Sequence, residues 1–200
     1  MKETFEQAMK NRRTVYAIGR GSLIKEKDIL AVLKTATDYA PSAFNSQSQR
    51  AVLLTGSAHD KLWAIVLAAL KKVTPAAAFQ KTESKIAGFA AGEGTILFFD
   101  DSETTDSLKK AFPLYEANFD PWAEQSNGML QYLVWTSLES LGLGVNLQHY
   151  NPLIDEEVKA TWKLPASWRL RGEMVYGKKL AEPDPRAHLD VEKRVLRFDK

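Results

Sequence analysis

Between residues 124 and 141, apolar side chains recur at positions 129, 130, 133, 134, 138 and 141, the i, i+1, i+4, i+5 spacing of a helix face. Tyr132 and Trp135 fill much of the opposite side, so such a helix needs cover nearly all round. A chain of 200 residues has room for one core, which puts this helix either at a domain centre or in a subunit interface. Periodicity alone favours the plainer arrangement, a core helix that turns at Gly142 and Gly144 into a core strand at about 143–148.

The rest of the pattern predicts alternating helices and strands. A short helix is expected over 3–11 with Phe5, Ala8 and Met9 on one face. A second, over 25–39, carries Ile29, Leu30, Val32, Leu33 and Ala36 as its buried stripe, with Ser22 as a candidate cap and Pro41 as its stop. Residues 50–55 read as a strand. Ser57, with Asp60 three positions on, opens a helix through Lys72 that Pro75 breaks, and another follows over 76–91. Gly92 to Gly94 turn the chain into a strand at 95–100 that is apolar on both faces and therefore central. Residues 101–121 are polar and the least regular stretch, with room for one or two short helices and the character of a mobile lid. A helix near 155–162, opened by Asp155-Glu156-Glu157, and a strand at 168–176 complete the pattern before a basic, extended tail with strand-like residues at 195–198. The expectation is one α+β domain over residues 1–200.

Composition narrows the chemistry. Lys and Arg number 27 against 25 Asp and Glu, a net charge of +2 that provides no broad basic field for nucleic acid. There is no cysteine, hence no disulfide and no thiolate, and the three histidines, His59, His149 and His188, lack tight metal-ligand spacing. No run approaches a membrane span and no signal-peptide core opens the chain, so a cytoplasmic protein that uses neither membrane nor nucleic acid is expected.

Two stretches carry candidate chemistry. Arg12-Arg13-Thr14 sits where the first helix ends; an arginine pair there is ordinarily a solvated cluster favourable to the helix dipole, but it also suits a grip on phosphate or on a polarised carbonyl. Pro41 to Arg50 alternates Ser, Asn and Gln with one aromatic ring. That composition serves a plain connector equally well as the edge of a planar heterocycle.

Taken together, a helix ending in Arg-Arg-Thr, a PSxxNxQ loop after the second helix, a helix ending in GLG before a short strand, and a basic C-terminal stretch resemble the nitroreductase family of FMN enzymes. WAEQSNGMLQYLVW followed by LGLGVNLQHYNP is similar to the subgroup of fungal fatty acid repression mutant proteins and copper-induced bacterial nitroreductases. The resemblance implies a nitroreductase-like α+β fold. A central, mainly antiparallel sheet would be flanked by helices in an intertwined homodimer, with one FMN at each of two sites between subunits and a tail able to add a strand to its partner. Position by position, Arg12, Arg13, Thr14 and Tyr16 fall on the N-terminal FMN grip. Pro41, Ser42, Asn45 and Gln47 fall on the loop that reaches the flavin from the other subunit. Gln148-His149-Tyr150 matches the strand end whose backbone donor faces flavin N5, and Arg186, with His188 behind it, the basic tail ligands. Lys178, Lys179 and Arg194 are alternatives to Arg186.

The implied activity is ping-pong hydride transfer from NADH or NADPH through FMN to nitroaromatics, quinones or similar flat acceptors, with no side chain acting as nucleophile. A regulatory or sensing FMN protein in lipid or stress signalling is the alternative. Two departures from the common pattern stand out: the usual third basic residue near Tyr16 is missing, and His149 stands where an acidic residue is common.

Overall fold

The computed structural model describes residues 4–199. Its spine is β5 (Trp168–Lys179), which pairs antiparallel with β3 (Gly94–Asp101) along one edge and with β4 (Leu143–Gln148) along the other. Beyond β3 lies β2 (Gln49–Thr55) as an outer strand, and the two-residue β1 (Ile18–Gly19) pairs with Lys178 and Lys179. Every pairing is antiparallel, in agreement with the expected α+β class.

Helices cover both faces of this sheet. On one side α3 (Gly56–Val73), α4 (Ala76–Ala90) and α7 (Asp155–Trp162) bury Leu62, Trp63, Val66, Phe89 and Val158 against Leu97, Phe99 and Val175. On the other, α2 (Glu26–Tyr39) and α6 (Glu116–Ser140) bury Ile29, Leu33, Leu130, Val134 and Leu138 against Ile96, Phe98 and Met174. Residues 96–99 of β3 alternate between these two cores and are wholly inaccessible, which is why the strand reads as apolar on both faces.

Several expectations need correction. Residues 101–121 hold the short helix for which they had room, α5 (Ser102–Ala111), capped by the Asp101 carboxylate on the Glu103 N–H, but they are more regular than expected, since a single 3₁₀ turn leads directly into α6. That helix starts at Glu116 and runs 25 residues with Pro121 inside. Proline removes one backbone bond there, and Phe119 and Trp122, packed on Phe44 with ring centroids 5.4 and 5.9 Å away, offset the loss. Met129 and Leu141 of the predicted stripe stay 45% and 39% exposed, so this chain covers α6 on one face only.

The two serine caps are also absent. Ser22 Oγ accepts from the Ile24 N–H in the turn before α2, whose cap residue Lys25 makes no side-chain cap bond. The helix α3 begins directly after Thr55 and Asp60 pairs with Arg20 instead. Residues 195–198 form no strand within the chain, where they lack a strand to pair with and lie exposed. The first helix, α1 (Phe5–Asn11), ends where expected but starts later, with Thr4 as its extended N-cap; residue 3 lies outside the described residues.

Candidate functional site

Arg12 leaves α1 with its N–H still bonded to the Ala8 carbonyl, and its extended backbone sends the chain toward β4. There the Val15 N–H bonds the Val145 carbonyl at 2.9 Å and Asn146 Nδ2 donates to the Val15 carbonyl at 3.0 Å. This approach requires glycine at 144, since a Cβ would lie 2.7 Å from Ile18 Cγ2 and 3.0 Å from Val15 Cγ1. Gly142, at φ 85°, supplies the left-handed turn that ends α6 just before. The GLG motif thus both turns the chain and docks Arg12-Arg13-Thr14 beside the end of α6.

At that end the Arg12 guanidinium stacks 4.7 Å over the Trp135 ring. The Arg13 N–H donates to Glu139 Oε2 at 2.7 Å, and its guanidinium donates to the Asp184 carbonyl of the tail. Burial raises the Glu139 carboxyl above its ordinary value, against the Arg13 hydrogen bond and the charges of Lys179 and Arg12. Lys179, ion-paired with Glu182 at 3.3 Å, therefore belongs to the same cluster. Thr14, next in sequence after Arg13, is half-buried, and Tyr16, 62% exposed, lays its ring 6.4 Å from that of Phe89.

The strand end lies on the same side of the molecule. Tyr150 packs edge-on to Trp63 and Phe89, with centroids at 6.0 and 6.5 Å, so Tyr16 and Tyr150 meet at one ring. Burial, then the negative charge of Glu173, pushes the Tyr150 phenol up to about 12. Gln148 is buried and donates to Asn146 Oδ1 at 3.0 Å, whereas the His149 side chain is exposed. The Tyr150 N–H is held by Glu173 Oε2 at 2.9 Å.

Glu173 itself is fully buried on β5, opposite Gln148 in register, and burial drives its carboxyl up to about 8. Sequence reasoning missed it, although the one carboxylate of a strand, set directly before the apolar Met174-Val175-Tyr176, is a usable signal. Glu139 and Asp184 were also missed; nothing in their local sequence marks them.

The loop at 41–47 is built but elsewhere. Its Ser42 Oγ accepts from the Gln47 N–H at 2.9 Å, the Ser42 carbonyl from the Asn45 N–H at 3.0 Å, and the Pro41 carbonyl from Gln49 Nε2 at 3.3 Å. Phe44, Asn45 and Gln47 all adopt positive φ, at 56°, 49° and 48°. Such strain in non-glycine residues persists where the surroundings fix it, and Phe44 is fixed among Phe112, Tyr115, Phe119 and Trp122. Beside it, a cavity of about 190 Å³ is lined by Pro41, Ser42, Ala43, Trp122, Gln125, Ser126 and Met129.

Trp122, which the loop touches, and Glu139, which Arg13 touches, are seventeen residues apart on α6. At a rise of about 1.5 Å per residue they are separated by roughly 25 Å. One chain thus places Arg12 and Arg13 at the C-terminal end of α6 and carries Ser42, Asn45 and Gln47 at the other, while Tyr16 meets Tyr150 of the β4 strand end at the Phe89 ring. Among the tail candidates, Asp184 brings the chain past Arg13. Arg186 and His188 follow in an exposed pair at 3.2 Å, while Arg194 ends the last 3₁₀ turn, exposed, and Lys178 is exposed at the end of β5.

A model of the nitroreductase family matches residues 9–178. The chain is 36% identical over 194 residues to the putative nitroreductase HBN1 of Saccharomyces cerevisiae, covering 94% of this chain and 96% of that protein. It is 32% identical over 189 residues to nitroreductase FRM2 of the same yeast, covering 92% of each. Among solved structures it is similar to nitroreductase CinD from Lactococcus lactis in complex with chloramphenicol. That match has a TM-score of 0.91 and 43% identity, and covers 98% of this chain and 100% of that one. CinD in complex with 4-nitrophenol matches with a TM-score of 0.90.

Proposed function

The chain belongs to the nitroreductase family, and on that premise we propose that it is an FMN-dependent oxidoreductase. Its reductant would be NADH or NADPH, and its acceptors nitroaromatics, quinones or similar flat molecules. The observation that carries this reading is the gathering of Arg12, Arg13 and Lys179 at the C-terminal end of α6, with Tyr16 reaching from that motif to Tyr150 of the β4 strand end through the Phe89 ring.

The donor set suits FMN. A phosphate monoester carries close to two negative charges near neutral pH, and Arg12, Arg13 and Lys179 offer three cations, two of them guanidiniums able to bind it bidentately. Arg13 spends one N–H group on Asp184, and a guanidinium has five. The Trp135 Nε1–H, buried beneath the Arg12 guanidinium, has no acceptor among the described residues, as expected where a ligand or second subunit completes the site. In this reading Thr14 serves the ribityl chain or ring edge, Arg186 and His188 close the phosphate side, and Tyr16 with Phe89 flanks the ring. The flavin, when bound, supplies the two-electron redox chemistry, so the chain need not provide a nucleophile or metal.

What the protein does is orient and polarise. Arg13 favours negative charge at the ring edge it faces. With its Tyr150 N–H committed to Glu173, the strand end presents the His149 amide, for which the described residues hold no acceptor, toward N5. The Tyr150 phenol, held protonated up to about 12, remains a hydrogen-bond donor through the physiological range. Nitroarenes such as those bound by the Lactococcus protein are the acceptors of choice.

We further propose that the enzyme is a homodimer with both sites shared. The loop bearing Pro41, Ser42, Asn45 and Gln47 stands roughly 25 Å along α6 from the arginines of its own chain, and the uncovered Met129 and Leu141 leave that helix an apolar face to give to a second copy. A cytoplasmic location fits a chain without cysteine and belongs to the same reading. Among the described residues no helix is long and apolar enough to cross a membrane. The purified protein should be yellow and release FMN on denaturation. A colourless protein that binds no FMN on titration contradicts the proposal.

A further inference from the structure

Behind the strand end lies a group that the proposed chemistry does not use. Glu173 is inaccessible to solvent, yet only one of its oxygens is satisfied: Oε2 accepts from the Tyr150 N–H at 2.9 Å, while Oε1 has no donor among the described residues. Two further buried oxygens, Asn151 Oδ1 in the segment after β4 and Asp155 Oδ1 at the start of α7, also lack donors among the described residues. A buried carboxyl oxygen that lacks a donor is reconciled if the carboxyl itself holds a proton.

Burial, then the charge of Asp155, favours the neutral form of Glu173 against the hydrogen bonds from the Tyr150 amide and from its own backbone N–H. From α7, Asp155 adds negative charge, and from the segment after β4 only the Tyr150 amide acts as donor. The Tyr150 phenol, itself affected by Tyr16, is uncharged. On β3 the residue in register is Leu97, on α3 His59 and Trp63 are committed to Thr95, and on β5 the Arg171 guanidinium is taken by Asp100 and Glu124. No cation in these contacts compensates a charge on Glu173.

We propose that Glu173 is a positioning residue for the cofactor: through the Tyr150 amide it fixes the direction in which the strand end at 148–150 presents its remaining N–H to the flavin, and that hold depends on Glu173 being neutral. The inference rests on the FMN reading above. When the carboxyl ionises, a buried charge held only by the Tyr150 amide and its own backbone N–H draws harder on the strand end, whose remaining amide is otherwise aimed at the ring. Cofactor affinity is then coupled to a proton on Glu173, as linkage requires. The carboxyl's rise to about 8 places the transition just above neutrality.

Fluorescence titration of the apoprotein with FMN from about pH 7 upward, above the second phosphate ionisation near 6, tests this. The wild-type Kd should rise as pH passes through about 8, by roughly tenfold for each unit by which bound FMN lifts the Glu173 value. Glu173→Gln, which still accepts from Tyr150 but cannot ionise, should bind FMN with a pH-independent Kd over this range. Asp155→Asn removes a charge that raises Glu173, so it should move the wild-type transition to lower pH, and it decides the matter if the glutamine variant does not fold. A flat wild-type profile, or the same profile in wild type and both variants, overturns the role of Glu173 and leaves the FMN reading standing. Failure of the wild type to bind FMN at any pH overturns both.

Discussion

Subunit complementation follows from the geometry of α6. One parent carries Arg12→Ala with Arg13→Ala; the other carries Asn45→Gly with Gln47→Gly, glycine being chosen because both loop positions have positive φ. The arginine pair removes two charge-assisted contacts of about 1.5 to 3 kcal/mol each, so the first parent should lose at least a hundredfold in FMN affinity even with imperfect additivity. The loop parent should lose the contacts made from the other subunit. If each site takes its arginines from one chain and its loop from the other, a mixed dimer has one site with both lesions and one with none. Random pairing of equal amounts makes half the dimers mixed, and the mixture should recover about a quarter of wild-type FMN sites and turnover. Co-expression with two different tags, followed by FMN quantitation and NAD(P)H oxidation on the doubly tagged fraction, isolates the mixed dimers, which should show about half of the wild-type sites and turnover. Mixed dimers that recover nothing refute the shared site and place all ligands in one protomer.

Two other outcomes are expected. Because the folded Glu173 value of about 8 stands above the ordinary 4.5, the folded chain holds that proton more tightly than the unfolded one. Its contribution is therefore complete below about 4.5 and is lost as pH rises to about 8, by up to roughly 1.4 kcal/mol per unit. Denaturant midpoints of the apoprotein at pH 5 and pH 8 should accordingly diverge in wild type and converge in Glu173→Gln; equal divergence in both assigns the slope to other groups. His149→Ala should keep FMN and most of the rate of flavin reduction, since the role proposed there belongs to the backbone and the side chain is exposed. Loss of the reductive half-reaction with FMN binding intact, read by anaerobic stopped flow, makes the imidazole catalytic instead.

The elements legible in the sequence are those whose environment is repeated along the chain. Ile96 to Phe99 announce a central strand because both faces of β3 meet a core, and Leu130, Val134 and Leu138 announce α6 because one face meets the sheet. The start of α6 was illegible because Pro121 and the acidic residues before it read as loop, whereas Phe44 arrives from another part of the chain to anchor Phe119 and Trp122. The two-residue β1 exists only through its pairing with β5, which no local pattern encodes. Among candidate site residues the Arg12-Arg13-Thr14 motif was visible as a motif. Its docking beside β4 depends on Gly144 and Asn146, and the buried Glu173 behind Tyr150 is set by strand register.

The central claim is that this chain holds FMN as a two-electron relay between a nicotinamide and a flat acceptor. Anaerobic mixing of the purified yellow protein with NADH or NADPH, followed by a nitroarene such as 4-nitrophenol, tests it in one experiment. Flavin absorbance should bleach with at least one of the two nucleotides and return when the nitroarene is added. A flavin that dithionite bleaches but neither nucleotide reduces, or one that stays reduced in the presence of nitroarenes and quinones, contradicts the account.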